Sequence, residues 1–168
     1  MKFCYADPPY VGCSSLYKDQ PDYNGEVDHK DLIDSLVAEF PDGWALSCHS
    51  PSLKVLLPMC PEGVRVGAWV KPFCSFKPNV NPAYAWEPVI FMGGRKRPRT
   101  ERTIRDWVSA NITLKKGLPG AKPWEFCWWI FDLFGAEEGD TLIDLFPGTG
   151  IVSEQWNNYI KYKRGFFG

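Results

Sequence analysis

Apolar and polar positions alternate between two periods along this chain. Short runs dense in apolar and aromatic residues read as strands at Met1–Ala6, Trp44–Cys48 and Val64–Val70, within AYAWEPVIFMGG (83–94), and at Asp140–Phe146. Between them lie segments with helical spacing. Leu32, Ile33, Leu36, Val37 and Phe40 form an apolar stripe over Lys30–Phe40, which Pro41-Asp42-Gly43 stops. Ser52–Leu57 predicts a short helix, 123–135 a longer one, and another begins near Ile151. Strands that alternate with helices predict an α/β sheet. Pro88 removes a ladder donor from the fourth run, so that strand is expected at an edge or a bulge, whereas DTLIDLF (140–146) reads as a strongly buried fifth strand. There is no internal repeat and no low-complexity tract.

Composition adds scale. A chain of 168 residues, 45% hydrophobic and 23% charged, predicts a single domain over 1–168 with a real core, to which eight Trp and eleven Phe supply volume. The net charge of -1 conceals an asymmetry. Residues 1–50 carry Lys2, Lys18 and Lys30 against nine acids, whereas 93–117 carry eight bases against Glu101 and Asp106. That basic island, within 94–121, reads either as a polyanion contact through Arg95, Lys96, Arg97, Arg99, Arg102 and Arg105 or as a solvated Arg-rich loop. Six cysteines show no Cys-x-x-Cys pair, and only His29 and His49 could join them, so no zinc site is predicted. With no secretory leader read, the thiols are expected reduced and the location cytoplasmic. FCWWIFDLF (126–134) is too short to span a bilayer and is broken by Asp132, so no membrane partner is expected.

Two turns carry the chemistry. In YADPPY (5–10) a strand runs into an acid, two prolines and a tyrosine, and the prolines fix φ and leave carbonyls as rigid acceptors. An ordinary Asp-Pro turn would more naturally continue with Gly or Asn. In DLFPGTG (144–150) a strand runs into two glycines that bracket Thr149 ahead of a helix, the kind of turn that lets backbone amides approach a nucleotide-like ligand. By itself it is also a plain strand-to-helix turn.

Taken as an ordered pair, DPPY and DLFPGTG resemble the catalytic and cofactor motifs of the S-adenosylmethionine-dependent DNA amino-methyltransferases of bacterial or phage type, in the permuted β-class order. GWALSCH (43–49), WEPVIFM (86–92) and Lys122-Pro123-Trp124 match more weakly in between. The resemblance implies one Rossmann-like α/β methyltransferase domain with a mostly parallel sheet, in which the two motifs share a crevice. It implies S-adenosylmethionine as cofactor, held by Asp144, Phe146, Pro147, Gly148, Thr149 and Gly150, with Lys122 and Pro123 near its methionine carboxylate, and needs no metal. It implies Asp7, Pro8, Pro9 and Tyr10 as catalytic, DNA as partner and, less directly, a homodimer.

The match is incomplete. YKRGFFG (162–168) reads as the start of the strand after the cofactor helix, where relatives carry an acid for the ribose hydroxyls; neither that acid nor the last strands are present, so the chain is expected to bind the cofactor weakly, to borrow a group from a partner, or to be shortened. The 28 residues of 94–121 are lean for a recognition segment, so modest sequence preference is expected. Adenine N6 methylation is the leading reading. Cytosine amino methylation, and a degenerate relative that binds nucleic acid or a partner without turnover, stay open, while methylation of RNA or protein is disfavoured by motif order.

Overall fold

The computed structural model describes residues 1–19, 25–113 and 121–167. Its strands are β1 (Lys2–Ala6), β2 (Gly43–Ser47), β3 (Arg65–Val70), β4 (Trp86–Gly93), β5 (Trp107–Ser109) and β6 (Thr141–Asp144). Its helices are α1 (His29–Glu39), α2 (Leu53–Leu56), α3 (Trp124–Phe134) and α4 (Ile151–Phe167). The strands form one sheet in the order β5-β3-β4-β2-β1-β6. β4 alone runs against the others: β1 is parallel to β2 and β6, β3 is parallel to β5, and both neighbours of β4 are antiparallel to it. No described helix is long and apolar enough to cross a membrane.

Alternation along β1 divides the core. Cys4 and Ala6 join Trp44, Leu46 and Ile90 under Ile33, Leu36 and Phe40 on one face. Phe3 and Tyr5 point the other way, into a cluster with Phe126, Ile130 and Phe134 of α3 and with Val152 and Tyr159 of α4. The Asp28 carboxylate caps α1, accepting from the amides of Lys30 and Asp31 at 3.0 Å each. Helix α3 is apolar nearly all round because it is sandwiched: Phe126 faces Tyr5 and Trp69 of the sheet, while Trp128 and Phe131 pack on Tyr159 and Trp156 of α4. Gly135, at φ 64, closes α3 in the left-handed conformation.

Four sequence expectations change. β4 is not an edge strand, and Pro88 is tolerated because β2 ends at Ser47. The Cys48 amide donates to the Pro88 carbonyl at 3.1 Å just past that end, where only the return bond from the proline nitrogen is forgone. The basic island contains β5, a three-residue strand too short for a period-2 pattern to register. The strand predicted as strongly buried is the exposed edge β6, whose one described neighbour is β1; Thr141 and Ile143 are open to solvent. YKRGFFG does not begin a strand: α4 continues through Phe167.

Candidate active site

β1 and β6 are parallel neighbours, with Tyr5 opposite Asp144 and the Leu145 amide donating to the Tyr5 carbonyl at 3.0 Å. The DPPY and PGTG turns therefore leave the same end of the sheet side by side. The helix after β1 lies on one face and the helix after β6 on the other, so the chain departs in opposite directions and opens a crevice between them. In α/β sheets this switch point is where ligands bind.

Asp7 sits in a cluster of alternating charges. Lys122, buried in the approach to α3, places its ammonium 3.2 Å from Asp7 Oδ2 and 3.1 Å from Glu87 Oε2. The Tyr10 hydroxyl donates to Glu87 Oε2 at 2.8 Å and accepts from Lys122 Nζ at 3.3 Å. Lys71 closes on the other oxygen of Glu87. The rings of Trp69 and Phe126 flank the Lys122 ammonium at 5.4 and 5.6 Å.

The three ionisable groups do not share this arrangement equally. Burial pushes the Glu87 carboxyl up, but Lys122 and Lys71 together outweigh it and hold Glu87 down at about 2. Burial also works against the Lys122 ammonium, and the Asp7 and Glu87 carboxylates overcome it, raising Lys122 above the ordinary lysine value. Asp7 is the weaker partner. It shares one lysine with Glu87, so burial prevails and its pKa is raised.

The glycine turn faces open space. Gly148 and Gly150 adopt φ of +46° and +75°, and no atom lies within 4 Å of where a side chain on Gly150 would begin. Gly150 N–H closes the turn on the Pro147 carbonyl at 2.6 Å, and α4 begins at the next residue. Asp144 Oδ1 accepts from the Phe146 amide at 3.2 Å, while Oδ2 is buried without a partner, and burial pushes this carboxyl up to about 6. An orphaned acceptor beside a left-handed glycine turn and a helix N-terminus suits a ligand that brings its own donor. Pro123, buried, forms the N-terminal boundary of α3, and Pro147 and Thr149 are exposed on the turn.

Pro8, Pro9 and Tyr10 thus gather with Asp7, Lys122 and Asp144 at one end of the sheet. The described arginines of the basic island do not join them, and its Lys115 and Lys116 lie outside the described residues. Arg95 holds Asp140 at 2.8 and 2.9 Å and the Gly135 carbonyl at 3.1 Å, Arg97 donates to the Asp132 carbonyl, and Arg105 lies over the Trp107 ring at 5.5 Å. Lys96, Arg99 and Arg102 are exposed. A cavity of about 690 Å³, lined by Arg65, Arg97, Arg99 and Arg102, also lies here. The crevice and this cavity are at opposite ends of the sheet, separated by the length of β4 from Glu87 to Gly93, about 20 Å at strand rise.

Three neighbours of the site escaped the sequence reading. Glu87 lies inside the apolar run WEPVIFM, where an acid is itself a signal of a buried partner, and Lys71 follows the Val64–Val70 strand with no local signal of its own. His49 stacks on Tyr10 at 5.2 Å and 18°, its Nδ1 2.6 Å from Ser52 Oγ; it ends the GWALSCH segment, whose pattern marks a strand and gives the histidine no role.

The fold is a Rossmann-like mixed α/β sheet, with DPPY before the glycine turn in chain order. Two solved structures align with it. The M1.HpyAVI–SAM complex does so with a TM-score of 0.63 at 16% identity, over 94% of this chain and 78% of that one. A second M1.HpyAVI structure gives 0.59 at 15% identity, over 94% and 76%. No family model and no curated protein matches the sequence.

Proposed function

We propose that this protein is an S-adenosylmethionine-dependent DNA methyltransferase that acts on the exocyclic amine of adenine. The observation that carries the proposal is the meeting of Asp7 and the Gly148–Gly150 turn at the carboxyl ends of adjacent parallel strands. The fold shared with a protein solved in complex with SAM supports it.

Asp144, Phe146, Pro147, Gly148, Thr149 and Gly150 would hold the cofactor, with the unpartnered Asp144 oxygen available to its ammonium and the α4 amides to its carboxylate. When bound, the cofactor supplies a methyl group made electrophilic by a sulfonium. Asp7 and the Pro8 carbonyl accept the two hydrogens of the amine, which returns the nitrogen lone pair from the ring to attack. The nitrogen would take the methyl group as the cofactor's sulfur keeps the bonding pair, and the amine's surplus proton would go to Asp7, whose raised pKa suits it to receive one. Lys122 lies 3.2 Å from Oδ2 of Asp7 and holds the carboxylate in place. Pro123 lines the wall that carries Lys122, Pro9 stiffens the turn, and Tyr10, backed by His49, offers its ring to the base. A paired amine is hidden in a duplex, so the base must be extruded or already unpaired.

Calorimetry with S-adenosylmethionine and with its demethylated product, followed by transfer of a radiolabelled methyl group to oligonucleotides whose only amine-bearing target is adenine or cytosine, tests this reading. Label on adenine, abolished by Asp7→Ala with cofactor binding nearly intact, is the expected result. Label confined to cytosine would move the target base, and wild-type protein that neither binds nor transfers would leave a non-catalytic binding protein.

A further inference from the structure

β3 and β4 are adjacent antiparallel strands that a two-residue turn could join, yet residues 71–85 connect them. Loops of this length are commonly functional. This one leaves and rejoins the sheet at the Asp7 end. It carries Phe73, Phe76 and Tyr84, exposed by 53%, 85% and 50%, and delivers Trp86, exposed by 40%, at the first position of β4. No acid occurs between Lys71 and Trp86, and Lys77 lies among the rings in sequence. The loop is tied down at its base, the Lys71 amide donating to the Ala85 carbonyl at 2.8 Å and the Phe73 amide to Asn111 Oδ1 at 3.1 Å. Rings also lead to it from the crevice: Tyr10 stacks on His49 at 5.2 Å, and His49 meets Tyr84 at 6.4 Å.

From this we infer that the 71–86 segment is a stacking platform for unpaired nucleotides beside the target base, so that the protein engages a single strand or an opened duplex through aromatic rings rather than through its arginine island. The inference rests on the methyltransferase reading for the identity of the target. Exposed aromatic faces cost free energy in water, and bases are the flat, apolar, sequence-tolerant partners that cover them. The lack of acids keeps a phosphate backbone from being repelled, and Lys77 attracts it. Arg99 and Arg102 line the cavity at the Gly93 end of β4, about 20 Å from Glu87, beyond the Debye length at physiological salt, and contribute little at this end.

Fluorescence anisotropy of the full chain with a labelled oligonucleotide of about 12 nucleotides, single-stranded and as a duplex, tests it, with circular dichroism melts to verify folding. The single strand should bind at least about tenfold more tightly than the duplex, and Phe76→Ala and Tyr84→Ala should each weaken it by about tenfold. Arg99→Ala with Arg102→Ala, on the rival surface, should change it by less than about twofold. The inference is overturned if the ring variants bind like wild type, if the duplex is preferred, or if the arginine pair carries the loss. It is equally overturned if the ring variants leave binding intact and shift sedimentation instead, which would make the rings a protein-docking surface. Cofactor calorimetry separates the two readings: ring-dependent strand binding without S-adenosylmethionine binding removes the methyltransferase proposal alone, and the converse removes the platform alone.

Discussion

Lys122 shows how a single side chain changes meaning on folding. In the sequence it is one basic residue before a proline, and in the molecule its ammonium lies between two carboxylates, buried against Trp69 and Phe126. Removing it strips Asp7 of the stronger of the two positive charges that lower its pKa, so Asp7 titrates still higher. Lys122→Met should therefore move the acid limb of the transfer rate to higher pH, and should destabilise the fold by about 3 kcal/mol, because a buried charge loses its partner. A pH–rate profile and denaturant unfolding of the variant check both. Asp144 carries the opposite lesson. Its carboxyl at about 6, against an ordinary 3.8, means that the native state binds the proton more tightly than the unfolded state. That contribution is fully present below pH 3.8 and is lost as pH rises through 6. Asp144→Asn should accordingly raise Tm relative to wild type at pH 8 more than at pH 5, while weakening S-adenosylmethionine about tenfold by calorimetry, since the asparagine retains an acceptor without the charge.

At the scale of elements, local signals and packing agree except where strands are short or paired in unexpected ways. Of the α1 stripe, Ile33, Leu36 and Phe40 are buried and Leu32 partly so, whereas Val37 is exposed, and Asp28 caps the helix; Asp28→Ala should cost about 1 kcal/mol in chemical unfolding. β3 crosses α3 at Gly67, where a methyl group would lie 2.9 Å from the Asp106 carbonyl oxygen and from the Trp129 ring. Gly67→Ala should lower stability by about 1–3 kcal/mol, measured as a fall in Tm, because neither the backbone nor the buried indole can withdraw. That constraint is invisible in sequence: a glycine in a strand run signals close approach but does not name the approaching ring. Pro88 is similar. Its residue type excludes a ladder donor, and only the point at which β2 stops shows why a central strand accepts it.

The whole molecule has two unlike ends. One gathers the DPPY and glycine turns, the buried charge cluster and the aromatic loop. The other ties chain segments together through Arg95 and Asp140, whose carboxylate also accepts from the Glu137 amide at 2.8 Å. Arg95→Ala should cost about 2 kcal/mol in unfolding experiments while changing oligonucleotide affinity by less than about twofold, which separates its structural work from nucleic-acid contact. Periodicity, the turn residues and the order of the two motifs are local properties, written in neighbouring residues, so the helices, most strands and the Asp7 and Gly148 turns could be read from the chain alone. Strand order is not local. It follows from which faces must be buried together over long separations, and it alone set β4 between β3 and β2, carried Glu87 and Lys71 to the crevice, left β6 at the edge and turned the arginine island away from Asp7. Charges carry no address in a sequence, and their partners are decided only when packing removes the water between them.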